Sequence, residues 1–197
     1  MDRANTKGSA PADQIPSDIA RHIEEIFQDH INELGIVIDI SVKVKEKIRS
    51  IDSFIQKNTS VVCNKCKKVC CINQHSYYNC EDLVYIYALG LKPREYEQND
   101  DSGPCRFLSC EGCCLERAIR PSGCNWYFCD SLYATMEQTP RREYNDFDES
   151  MLELAELWME LINEFLRTYR KITGYEIKFA HLVCSSNRKA DSSDRVH

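Results

Sequence analysis

The chain is poor in the residues that build flexible or phosphate-cradling loops. It has seven glycines and six prolines in 197 residues. The glycines never take the G-x-G-x-x-G spacing, so the usual backbone cradle for a dinucleotide is missing. No apolar run approaches the roughly 18 residues of a membrane span, so no membrane contact is expected. Residues 1–18, MDRANTKGSAPADQIPSD, hold no apolar segment of the kind a secretory signal requires. The expected location is therefore cytoplasmic, where thiols stay reduced. Nor is there a basic stripe interleaved with aromatics, and no nucleic-acid partner is expected.

Cysteine, by contrast, is abundant. Eleven of the twelve fall between residues 63 and 129, as Cys63-x2-Cys66-x3-Cys70-Cys71, then Cys80, Cys105, Cys110, Cys113, Cys114, Cys124 and Cys129. In a reducing compartment such density points to metal rather than to disulfides; in an oxidising one the same residues would crosslink the chain.

The rest of the sequence reads as mainly α, with N- and C-terminal amphipathic helices packed around an irregular cysteine-rich knot. Residues 1–16 have the composition of a disordered tail. Residues 17–58 form an N-terminal helical segment: Ser17 caps a first helix and Gly35 ends it. The next stretch alternates like a strand at Ile36, Ile38, Ile40, Val42 and Val44. Helical spacing at Val37, Ile40, Val44, Ile48, Ile51 and Ile55 covers more residues and favours helix. Residues 59–137 form the cysteine-cluster domain. Within it a helix runs from about Cys80 to Leu89, residues 99–114 read as loop, and Cys124–Glu137 as one short helix. Residues 138–148 are a charged connector. Residues 149–184 hold a long helix, with Leu152, Ala155, Trp158, Met159, Ile162, Phe165, Leu166 and Tyr169 on one side. Gly174 stops it, a short strand at Tyr175, Ile177 and Phe179 follows, and 185–197 is a polar tail.

Charge is uneven along the chain. Between Lys43 and Lys68 eight basic side chains face two acidic ones, and between Thr139 and Glu164 eight acidic face two basic. The two segments either attract each other or remain solvated, and the acidic C-terminal helix is also a candidate face for a protein partner.

A Cys-x2-Cys pair lets two sulfurs reach one ion from a tight turn, and zinc takes four such ligands at about 2.3 Å. Cys63-x2-Cys66 and Cys110-x2-Cys113, with the remaining cysteines, supply enough thiolate for two four-ligand sites. Adjacent side chains diverge, so Cys70-Cys71 and Cys113-Cys114 imply either two nearby ions or one ligand and one packing residue per pair. Cys80 and Cys184 lie off the knot and read as packing residues. His75 is a further candidate ligand, whereas His22, His30 and His181 read as surface or core residues. Lys65, Lys67, Lys68, Arg106, Arg117 and Arg120 lie among the cysteines, where they offset thiolate charge.

Cys105-Arg106-Phe107-Leu108 and Cys114-x5-Arg120-Pro121-x2-Cys124-x4-Cys129 form a longer signature. With the upstream Cys-x2-Cys…Cys-Cys and the intervening Asp82, it resembles the CxxCxxCC family of zinc- or iron-chelating domains, the YkgJ-like cysteine-cluster proteins. The resemblance spans about residues 60 to 130. It implies Cys63, Cys66, Cys70, Cys71, Cys105, Cys114, Cys124 and Cys129 as metal ligands, and zinc or iron as the metal, an iron–sulfur cluster included. Three residues, Lys67-Lys68-Val69, stand where the family has two, and Cys110 and Cys113 are additional. Cys113 and Cys114 thus remain alternatives for one ligand position. The implied function is a metal-binding protein whose ions mainly organise the fold. Its alternatives are an iron–sulfur oxidoreductase or other cluster-dependent enzyme and, by analogy with flagellin lysine N-methylases, a protein-lysine methylase.

Overall fold

The helical reading of residues 36–55 rests on which side chains leave water. In the computed structural model, which describes residues 19–66, 70–94, 100–110, 112–177 and 179, they lie in α2 (Gly35–Val62). Val37, Ile40, Val44, Ile48, Ile51 and Ile55 form its buried face, while Ile36 and Val42 are exposed. The strand alternation is thus incidental. Helix α1 (Ile19–Asp29) ends earlier than its apolar pattern suggests. Residues 31–34 turn, and Gly35 opens α2 instead of closing α1. Leu34, fully buried, belongs to the turn, whereas Ile31 is exposed.

α6 (Arg141–Thr173) runs antiparallel to α2 and forms the other half of the core. Most of the expected charged connector at 138–148 is therefore helix. Pro140 supplies a fixed φ just before the first turn, and Phe147, stacked on Phe54 at 4.3 Å between ring centroids, anchors the start. The buried stripe is rotated from the expected one. Leu154, Trp158, Leu161, Ile162, Phe165 and Tyr169 face inward, while Leu152 and Met159 stay 63% and 60% exposed. Gly174, at φ 77°, ends the helix in the left-handed conformation that costs glycine least. The opposed charge segments meet in part: Lys57 bonds Glu143 at 2.8 Å, and Lys47 pairs with Glu153.

α1 and α3 (Cys80–Ala88) cover this pair. Phe27 of α1 stacks on Phe165, and Tyr85 of α3 packs on Trp158. α3 begins with a full capping box. The Asp82 N–H donates to Asn79 Oδ1 at 2.8 Å and the Asn79 N–H to Asp82 Oδ2 at 2.9 Å. Cys80, 1% exposed, is disulfide-bonded rather than a free packing thiol.

The expected helix over 124–137 is two helices, α4 (Gly123–Trp126) and α5 (Asp130–Met136), separated by extended residues at Tyr127–Cys129. The expected loop over 99–114 contains a small hairpin, β1 (Leu108–Ser109) against β2 (Gly112–Cys113). Residues 175–177 form no strand. The tails, Ser17, Cys184 and His181 lie outside the described residues. The structure is thus mainly α, and no described helix is long and apolar enough to cross a membrane.

Candidate functional site

Between the C-terminal end of α2 and the irregular segments lies a cavity of about 390 Å³ with mostly apolar walls. Seven free thiols line it: Cys63, Cys70, Cys71, Cys105, Cys113, Cys124 and Cys129. They come from separate parts of the chain, and each part is held by a different local device.

α2 runs past residue 58, so its last turn delivers Cys63, and a 3-10 turn (Cys63–Lys65) carries the chain on to Cys66. Cys70 and Cys71 are tied to the 100–106 turn by backbone bonds. The Cys105 N–H donates to Cys71 O at 2.9 Å, the Asn73 N–H to Gly103 O at 3.0 Å and the Gln74 N–H to Asp101 O at 2.9 Å. Asn73 reinforces the junction from within. Its buried side chain donates to Asp100 O at 2.8 Å and accepts the Arg106 N–H at 3.0 Å. A Cβ at position 103 would sit 3.2 Å from Asp100 O, tighter than most such contacts.

Cys113 is positioned by the hairpin, whose register pairs Leu108 with Cys113 and Ser109 with Gly112. Cys124 is positioned by two buried charged residues. Asp82, 2% exposed, reaches across from α3 and accepts the Ser122 N–H at 2.9 Å. Arg117 bonds Asp52 of α2 at 2.5 Å and extends its guanidinium toward Cys124 O and Asn125 Oδ1, each at 3.5 Å. Cys129 is the N-cap residue of α5.

The thiols also lie in one another's electrostatic field. Burial raises Cys63, and Cys70, Cys129 and Cys66 raise it further. Burial likewise raises Cys70, and the neighbouring Cys129 raises it further. Cys71 is pushed up to about 12 by burial, then by Cys70, Cys124, Cys63 and Cys105. Cys124 is pushed up to about 11 by burial and by Cys113, with the nearby Arg120 cation opposing. Without a cation, removing protons from several of these sulfurs places like charges together in a poorly solvated space. A divalent ion reverses that penalty, and soft sulfur suits zinc or iron. As they stand, the described residues hold no group of three His, Cys, Asp or Glu arranged to grip an ion. The thiols border a common space without closing on one point in it.

Of the eight cysteines implied as ligands, six line the cavity and two do not. Cys66 is exposed and off the wall, yet close enough to influence Cys63 and Cys70. Cys114 is exposed and absent from the wall, as is Cys110. Cys113 was one of two alternatives; it is the member of its pair that lines the cavity. His75 lines it too, but its Nδ1 donates to Cys70 O at 3.2 Å, so that nitrogen supports the turn. Of the basic residues, Arg117 and Arg120 reach the site, Lys65 is exposed, and Lys67 and Lys68 lie outside the described residues.

Sequence reasoning missed Asn73 and the role of Arg117, because their partners are distant in the chain. Comparison with family models, curated proteins and solved structures returned no match.

Proposed function

We propose that this protein binds metal through cysteine thiolates, zinc or iron, and that the metal organises the segments between Cys63 and Cys129. The observation that carries this reading is the gathering of seven free thiols around one cavity. A packing thiol fills apolar space, whereas these seven border an open cavity. The CxxCxxCC resemblance points the same way. In this reading the cysteines hold the ion, Arg120 offsets sulfur charge, and Asp82 and Arg117 fix the turn that carries Cys124. When bound, the metal supplies the crosslink that this part of the chain otherwise lacks.

A second reading, an iron–sulfur or other cluster-dependent redox protein, draws on the size of the cavity. About 390 Å³ exceeds the room one ion needs and falls within the range of small-ligand sites. Elemental analysis of protein purified without oxygen, with a visible spectrum, separates the two. Zinc with no visible band supports the organising role. Iron with sulfide and broad absorption near roughly 400 nm supports the cluster. Absence of bound metal, with no uptake of zinc or iron by the reduced protein, defeats both.

A further inference from the structure

We infer that Tyr78 and Tyr85 are positioning residues for Cys124, and that the helical core builds the turn carrying this thiol before any metal arrives. This rests on the metal-binding reading above and divides it: one stretch of the site receives the ion instead of being ordered by it.

Tyr78, just ahead of the α3 cap, stands with Asp82 and Tyr85 at i, i+4 and i+7, the spacing of one helix face. All three side chains are buried, and each directs its polar tip at the same short stretch of chain. Tyr85 Oη donates to Ala118 O at 2.9 Å, Tyr78 Oη donates to Ile119 O at 2.6 Å, and Asp82 accepts the Ser122 N–H at 2.9 Å. A buried phenol hydroxyl seeks such a partner, and its removal takes a hydrogen bond from the carbonyl opposite. From the other side, Asp52 of α2 holds Arg117 at 2.5 Å. Residues 117–122 are thus gripped between α2 and α3.

The grip reaches Cys124 through a short, well-bonded backbone. After the 3-10 turn Arg117–Ile119, the Arg120 N–H donates to Arg117 O at 3.1 Å. Pro121, buried, has its φ fixed by its ring. The Cys124 N–H donates to Pro121 O at 2.9 Å, the Asn125 N–H to Ser122 O at 2.7 Å and the Tyr127 N–H to Gly123 O at 3.0 Å. Cys124 Sγ donates to His75 O at 3.9 Å, the long bond of a thiol. Every partner here belongs to the protein, so the placing of Cys124 does not depend on thiolate ligation. The turn at the end of α2 contrasts with it. Cys63–Lys65 buries none of its residues, and the Cys66 N–H bonds locally, to Cys63 O at 3.2 Å.

The test is hydrogen exchange of the wild type, reduced and purified without oxygen, with and without zinc. In the metal-free chain the amides of residues 119–127 should already be protected, and zinc should add protection around Cys63–Cys66. If 119–127 exchange freely until zinc is added, the inference is overturned and the metal-binding reading stands. A second readout is zinc affinity, by competition with a chromogenic chelator, for Tyr78→Phe, Tyr85→Phe and Tyr87→Phe. Tyr87 lies in the same helix, but its hydroxyl bonds Glu24 of α1 at 3.4 Å. Tyr78→Phe and Tyr85→Phe should each weaken zinc binding about ten-fold, while Tyr87→Phe keeps the wild-type affinity. Unchanged affinity in the first two, or an equal loss in all three, overturns the positioning role. A wild type that takes up neither zinc nor iron, with 119–127 protected all the same, defeats the metal-binding reading and the positioning role with it.

Discussion

Asp82 shows how one side chain joins secondary structure to the site. It completes the cap of α3 and also holds the Ser122 N–H that precedes Cys124. Burial lifts its carboxyl to about 6, although hydrogen bonds from Asn79 and Ser122 pull it down. Glu81 adds to the rise, and Tyr78 and Cys124 also face it. A carboxyl that keeps its proton longer when folded than when unfolded makes stability fall as pH rises, here between about 4 and 6. Two pKa units correspond to on the order of 3 kcal/mol. Denaturant unfolding of metal-free protein at pH 4, 5, 6 and 7 should show that decline relative to Asp82→Asn. Parallel curves for the two proteins would mean that Asp82 is not held above its usual range. The cap was legible in Asn79, Glu81 and Asp82 as a helix start. The second bond was not, because Ser122 is forty residues away.

At the scale of elements, periodicity located the helices better than their ends. α2 was legible because its buried positions recur at helical spacing over five turns, enough to outweigh a local alternation. The start of α6 was not, because residues 141–148 are mostly charged and Phe147 is flanked by Asp146 and Asp148. What anchors that stretch is the stacking of Phe147 on Phe54 of α2, with Phe128 packing edge-on against Phe147. Phe147→Ala should therefore cost about 3–5 kcal/mol in urea unfolding, whereas Leu152→Ala, at an exposed position, should stay within about 0.5 kcal/mol. Equal costs would show that the stripe of α6 faces the core differently. The break between α4 and α5 is similar: aromatic residues there suit a helix, but the extended step delivers Cys129 to the cavity.

The whole molecule divides its stability between two kinds of order. The helices α1, α2, α3 and α6 share a continuous apolar core. Between residues 100 and 129 the buried apolar side chains among the described residues are few: Leu115, Ala118 and Phe128, with Pro121. Backbone bonds and buried polar residues hold that region, and bound metal would add a further constraint. Under the proposed function, stripping the metal should leave most far-ultraviolet helical signal intact while the cavity thiols become reactive. If free metal stands a thousand-fold above Kd, binding contributes about 4 kcal/mol, so its removal should lower Tm by roughly 8–16 °C. An unchanged Tm and unchanged thiol reactivity would remove the organising role.

The amino-acid sequence by itself determined that the chain is mainly helical, that no long apolar run is available for a membrane helix, and that eleven of its twelve cysteines lie between Cys63 and Cys129. These are local properties, set by spacing and composition over a few turns. Only the tertiary structure decided which thiols share a space. That Cys113 lines the cavity while Cys114 does not depends on how each backbone segment meets partners distant along the chain. Asn73 at the 100–106 turn, Asp82 at Ser122 and Arg117 at Asp52 make those meetings. A side chain's direction follows from its backbone's orientation, and that orientation is set by contacts that residue spacing does not record.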